Sequence, residues 1–245
     1  VAKELVNFKG RLMSLYNPWI FEDVLEILNS NPAISLAETP RTKSERFLKN
    51  TWKIKSLTAK QAAVLLERFK GFLNLNGLTS IDKEVAHELA KFQGQLLLDG
   101  LTSIDKDVAQ ELANFQTTLQ GSLCLNGLTS IDKNVAKELV KVRGLRLYGL
   151  TSIDEDVAKE LIKAFQALDL PGLAAIDKDV ARELANFRGR FLYLNGLTSI
   201  DKDVATELVE FKQDLELNGL TSIDKNVAQK LANFKGRLLT LLGLV

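Results

Sequence analysis

The chain has 245 residues, 46% of them hydrophobic and 26% charged, with a formal net charge of +1. That balance excludes a global field that would draw in nucleic acid or an anionic membrane surface, and no apolar run approaches the ~20 residues of a membrane span. Cys124 is the one cysteine, which excludes an intrachain disulfide.

Residues 1–15, VAKELVNFKGRLMSL, read as a partial repeat: they carry the lettering that recurs from Val135 onward as VAKELVKVRGLRL. The chain starts at Val1 with neither methionine nor signal peptide, which suggests a processed or excised piece of something longer. Residues 16–55 break the pattern and read as a helical insert with a basic segment. Asn17-Pro18 is an N-cap followed by proline at the first helical position, and Ile20, Val24, Leu28 and Trp19 would line one side of the helix. A loop held open by Pro32 and Pro40 follows. The basic residues Arg41, Lys43, Arg46, Lys49, Lys53 and Lys55 then surround Phe47 and Trp52. Such a mix suits nucleic acid or acidic partners, but an insert whose aromatics pack inward while its charges face water explains it more simply.

Residues 56–245 read as about eight repeat units. The first, SLTAKQAAVLLERFKG, is degenerate, with Thr58 at the cap position. Anchor glycines then follow at Gly77, Gly100, Gly127, Gly149, Gly172, Gly196, Gly219 and Gly243, spaced 23, 27, 22, 23, 24, 23 and 24 residues apart. Extra residues around Thr117 to Gln120 account for the long spacing. After seven of these glycines the sequence runs Gly-Leu-x-x-Ile-Asp. The aspartates (Asp82, Asp105, Asp132, Asp154, Asp177, Asp201 and Asp224) are good helix N-caps. Val follows three residues later, Ala four and Leu seven, which predicts a helix of about ten residues with one apolar stripe. Gly94, Gly144, Gly189 and Gly236 come shortly after and would stop it, since glycine accepts the left-handed conformation. Between that stop and the next anchor lies Leu-x-Leu, as in Leu96 and Leu98, which predicts a short strand with both leucines inward.

One strand and one short helix cannot bury their own apolar sides, but stacked copies can. The predicted fold is therefore an α/β solenoid, with a parallel sheet on one side and short helices on the other. Helices are wider (~10 Å) than the strand spacing (~4.8 Å), so the sheet would be concave and the helices convex.

The unit resembles that of the leucine-rich repeat family, Leu-x-x-Leu-x-Leu-x-x-Asn-x-Leu, in a short bacterial-type repeat of about 23 residues. The resemblance covers residues 72–245. The family's asparagine slot here holds Leu78, Leu101, Leu128, Leu150, Leu173, Leu197 and Leu220, so the usual asparagine ladder cannot form there. Thr79, Ser80 and their equivalents would satisfy the turn backbone instead. The resemblance implies binding of a protein or ligand on the concave sheet.

Variation within the repeat points to the same face. The centre of Leu-x-Leu reads Asn74, Leu97, Cys124, Arg146, Asp169, Tyr193, Glu216 and Thr240, and its side chains would point out from the sheet. Two positions earlier the column begins with Phe72 and includes Phe191. Exposed aromatics favour interfaces. The candidate partner-binding residues are Phe72, Arg146, Tyr148, Asp169, Phe191, Tyr193 and Glu216. The column before the anchor glycine (Asn76, Asp99, Asn126, Tyr148, Pro171, Asn195, Asn218, Leu242) suits turn chemistry.

Catalysis finds little support. His87 is the single histidine and falls in the solvent-side column of its helix, and Cys124 has no histidine neighbour in sequence. No phosphate loop, zinc-ligand spacing or calcium loop appears, and no cofactor is implied. A threonine rank (Thr79, Thr102, Thr129, Thr151, Thr198, Thr221) is similar to those of ice-binding solenoids, but Ala174-Ala175 interrupts it and turn hydrogen bonding accounts for it. The sequence thus reads as a non-enzymatic interaction module for a protein or glycan. The alternative is a structural protein that self-associates end to end or forms part of a longer array, because both termini cut through units.

Overall fold

The structure, a computed structural model, describes residues 51–115, 121–164 and 166–244. The expectations for 1–50 (the partial repeat, the insert helix and most of the basic segment) and for the extra residues 117–120 lie outside the described residues. Thr51–Lys53, at the end of the basic segment, form one 3-10 turn.

Helices and strands alternate in the order α1 (Ala59–Arg68), β1 (Gly71–Asn74), α2 (Lys83–Leu89), β2 (Gly94–Leu97), α3 (Lys106–Leu112) and β3 (Ser122–Cys124). Then come α4 (Lys133–Leu139), β4 (Leu145–Arg146), α5 (Glu155–Leu161), β5 (Ala167–Asp169), α6 (Lys178–Ala185) and β6 (Phe191–Tyr193). The last four are α7 (Lys202–Leu208), β7 (Asp214–Glu216), α8 (Lys225–Leu231) and β8 (Leu238–Thr240). The strands form two parallel four-stranded sheets, β1-β2-β3-β4 and β5-β6-β7-β8, each in chain order. Register places like positions side by side: Leu73 beside Leu96 and Leu123, Leu168 beside Leu192, Leu215 and Leu239. Each helix packs on the next in sequence, from α1 to α8.

The helices start where the sequence places them. Each of the seven aspartates accepts a hydrogen bond from the backbone N–H of the valine three residues on, at 2.7–2.9 Å. Thr58 does the same for α1 in a capping box with Gln61. The helices are shorter than expected, at seven residues from α2 to α5. The reason is visible after α2, where Lys91 and Phe92 donate to the carbonyls of Glu88 and Leu89, three residues back. This tighter turn ends the α-helix and drops Phe92 into the core.

The glycines after the helices also differ from expectation. Gly94 and Gly144 do have positive φ, but Gly94 opens β2 and Gly144 immediately precedes β4. Gly189 and Gly236 do not have positive φ; they leave room for the rings of Phe187 and Phe234.

One apolar core joins the strand leucines to the helix stripes of Val, Ala and Leu. Leucine burial of this kind contributes about 1.5–3 kcal/mol per side chain before entropy is counted. The leucines in the asparagine slot, from Leu78 to Leu220, are fully buried. The N–H of Leu78 bonds to the Leu75 carbonyl at 3.0 Å, and the same turn recurs at Leu101, Leu128, Leu150, Leu173, Leu197 and Leu220. The strand-end carbonyl thus satisfies the turn N–H while Thr79 and Ser80 stay exposed; among their equivalents, Thr151 does serve the turn backbone, its hydroxyl donating to the Thr129 carbonyl at 3.3 Å.

The candidate site on the outer sheet face

A ladder of side chains fixes the strand exits on which the site is built. It occupies the column before the anchor glycine, two positions before the family's slot. Asn76 Oδ1 accepts from the Asp99 N–H at 2.9 Å, Asp99 Oδ1 from Asn126 at 2.9 Å, and Asn126 Oδ1 from Tyr148 at 3.0 Å. Asn195 Oδ1 then accepts from Asn218, and Asn218 Oδ1 from Leu242. The column does more than turn chemistry, since each side chain bridges to the next unit. Between the two runs stand Tyr148, which has no side-chain carbonyl to offer, and Pro171, which has no N–H to give. The two sheets divide at the same place, between β4 and β5.

Six of the seven candidate residues gather across this division on the sheet face away from the core. Arg146 lies over the Tyr148 ring at 5.9 Å. The Tyr148 phenol is close enough to the Asp169 carboxyl to stabilise its charge. Asp169 is in register with Tyr193, and Tyr193 with Glu216. The Phe191 and Tyr193 rings stack at 5.7 Å, nearly parallel. Phe72 does not join them: it lies on β1, at the far edge of the sheet that ends in β4, and is 46% exposed.

The electrostatics of the group follow from partial burial. Desolvation raises the Asp169 carboxyl above the ordinary aspartate range; Tyr148 opposes this, and the nearby charge of Glu216 adds to it. Burial and the neighbouring Asp169 likewise raise the Tyr148 phenol. Burial, then Glu216 and Asp169, raise that of Tyr193. Glu216 Oε2 accepts from the side-chain amides of Asn195 at 3.2 Å and Asn218 at 3.1 Å, so the ladder also orients this carboxylate.

Beside the group sits a charge cluster that sequence reasoning missed. Asp214 is buried and takes a bidentate pair of bonds from Arg237, both at 2.7 Å, with Arg190 at 3.8 Å. Hydrogen bonding to Arg237 holds its carboxyl below the usual range. Arg190 also lies over the Phe191 ring at 4.8 Å. The signal was an acid at the start of one strand, with arginine just before the strand in the units on either side.

Two other residues resolve plainly. Cys124 was expected to point out from the sheet, yet it is buried, with Ser122 Oγ at 3.8 Å and Gln95 Nε2 at 4.0 Å from its sulfur. Cys124 stays in register with Leu97 and Arg146 of the outward column and is not part of the apolar core cluster, so it is covered on that face. His87 is exposed as expected and pairs with Glu111 of the next helix at 2.9 Å. No helix among the described residues is long and apolar enough to cross a membrane. No family model matches the chain, and no curated protein matches it.

Proposed function

We propose that this chain is a leucine-rich-repeat-like solenoid whose concave sheet face binds a protein or glycan partner, with no catalysis of its own. The solenoid reading is supported by the alternation of strand and helix, by strands paired in chain order, and by helices packed in the same order. The observation that carries the binding reading is the grouping of Arg146, Tyr148, Asp169, Phe191, Tyr193 and Glu216 on one outward face. Stacked aromatics and partly desolvated charges are unfavourable on an idle surface and favourable under a partner.

The test compares wild type with a Phe191→Ala, Tyr193→Ala double variant, once circular dichroism shows the two to be folded alike. Both are used as bait for proteins from the source and as probes on a glycan array. A ligand held by wild type and lost by the variant is the expected result. A ligand held equally by both moves recognition off this face. Absence of any ligand, with particle size growing with concentration, would favour the structural alternative.

A further inference from the structure

The outer sheet face sets acids and arginines close together, but it does not neutralise them evenly. Asp214 is matched by Arg237 and Arg190. Asp169 and Glu216 are not matched: among the described residues neither forms an ion pair. The hydrogen-bond donors that reach them are neutral, a phenol at Asp169 and two side-chain amides at Glu216. Such donors steady a carboxylate without cancelling its charge. Arg146 lies over the Tyr148 ring; its charge offsets part of that of Asp169 without forming an ion pair.

These two carboxylates flank one aromatic ring. Asp169, Tyr193 and Glu216 are consecutive partners on β5, β6 and β7. At about 4.8 Å per strand, the acids stand roughly 10 Å apart with Tyr193 between them. A guanidinium or ammonium over that ring would lie about 5 Å from each carboxylate and would meet the negative face of the π system as well. A neutral ligand would take the two acids out of water with no ion pair to balance them, which is costly.

We infer that the group this face recognises is a cationic side chain, an arginine or lysine of a protein segment, seated on Tyr193 between Asp169 and Glu216. The inference rests on the binding face proposed above and names the chemistry that face selects. It assigns the aromatic ring to position the cation and the two carboxylates to select its charge.

The test uses the full chain and a fluorescent peptide of alternating glycine and arginine, read by anisotropy. A matching peptide with citrulline in place of arginine keeps the shape and removes the charge. The arginine peptide should bind at least about tenfold more tightly than the citrulline peptide. An Asp169→Asn, Glu216→Gln double variant should lose about tenfold or more of that affinity, and Tyr193→Leu should weaken it while Tyr193→Phe keeps it. Equal binding of the two peptides, unchanged binding by the acid variant, or no binding of the arginine peptide would each overturn the inference. The broader reading is judged separately. A partner lost by the Phe191→Ala, Tyr193→Ala variant but kept by the acid variant leaves the binding face standing and removes only the cationic assignment.

Discussion

A Cβ on Gly100 would sit 2.2 Å from the Asn76 carbonyl oxygen and 2.4 Å from that of Leu78. Both atoms are backbone of the preceding unit, so neither can swing away. The same clash recurs at Gly127, Gly149, Gly172, Gly196, Gly219 and Gly243, which explains the anchor glycines by close approach rather than by backbone angle. Gly71 is the opposite case: its φ is +79°, and a Cβ there would meet nothing within 4 Å. Gly100→Ala should therefore cost about 3 kcal/mol through overpacking, and Gly71→Ala only about 1 kcal/mol through left-handed strain. Urea denaturation of the two variants measures the difference, and equal losses would remove the distinction. Asp169 gives a second prediction at this scale. Its folded-state carboxyl is raised, chiefly by desolvation, so its ionised form opposes folding. Wild type should lose stability as pH rises from the unfolded-state value (about 4) through the raised folded value. Asp169→Asn removes that loss and should melt higher than wild type at neutral pH but not at pH 3. A residue that destabilises the fold it sits in is consistent with one kept for binding.

The short helices depend on their ends. A seven-residue helix is too short to be stable in water by itself, so its cap and its packing have to hold it. Asp105 accepts the Val108 N–H at 2.8 Å, and Asp105→Ala should cost about 1 kcal/mol, whereas Asp107→Ala, two residues on in the first turn and without a cap bond, should cost markedly less. Thermal melts of the two variants check this. Elements of this kind were legible in the sequence because their determinants are local: a capping aspartate, a valine three residues on, and leucines two apart. Helix length was overestimated because Phe92 continues the apolar stripe of the α-helix, while Lys91 and Phe92 bond as a tighter turn. The Asn76 to Asn126 ladder was not legible because it joins residues more than twenty positions apart, and only the strand register shows which N–H each carbonyl meets. The burial of Cys124 was not legible for a similar reason, since its cover comes from Gln95 on the neighbouring strand as well as from Ser122 on its own. In the site, variation within the repeat identified the face and most of the group. It did not separate Phe72 from the other six residues, because a column in an alignment carries no information about which strands are neighbours.

At the scale of the molecule, the division between β4 and β5 interrupts the sheet but not the stack. Helices α5 and α6 still pack together, and Gly172 still lies against the carbonyls of Tyr148 and Leu150. What is missing is strand pairing and two rungs of the ladder, Tyr148 to Pro171 and Pro171 to Asn195. In a stack whose units contact only their neighbours, stability depends on each interface, and the weakest interface is where unfolding divides. Restoring the rungs gives a test with a definite pattern. Tyr148→Asn supplies an acceptor but meets a proline with no N–H, so this variant gains no rung. Pro171→Asn supplies an N–H with no acceptor before it, but its own carbonyl can reach Asn195, so it gains one. The double variant gains both, and the two substitutions should couple favourably by about 1 kcal/mol, the net value of one hydrogen bond. Equilibrium denaturation of the four proteins measures that coupling. If the division is the weak interface, amide exchange in β4 and β5 should slow in the double variant beyond the effect of either single substitution. If the energies simply add and exchange slows no further, the missing rungs do not set the strength of this junction.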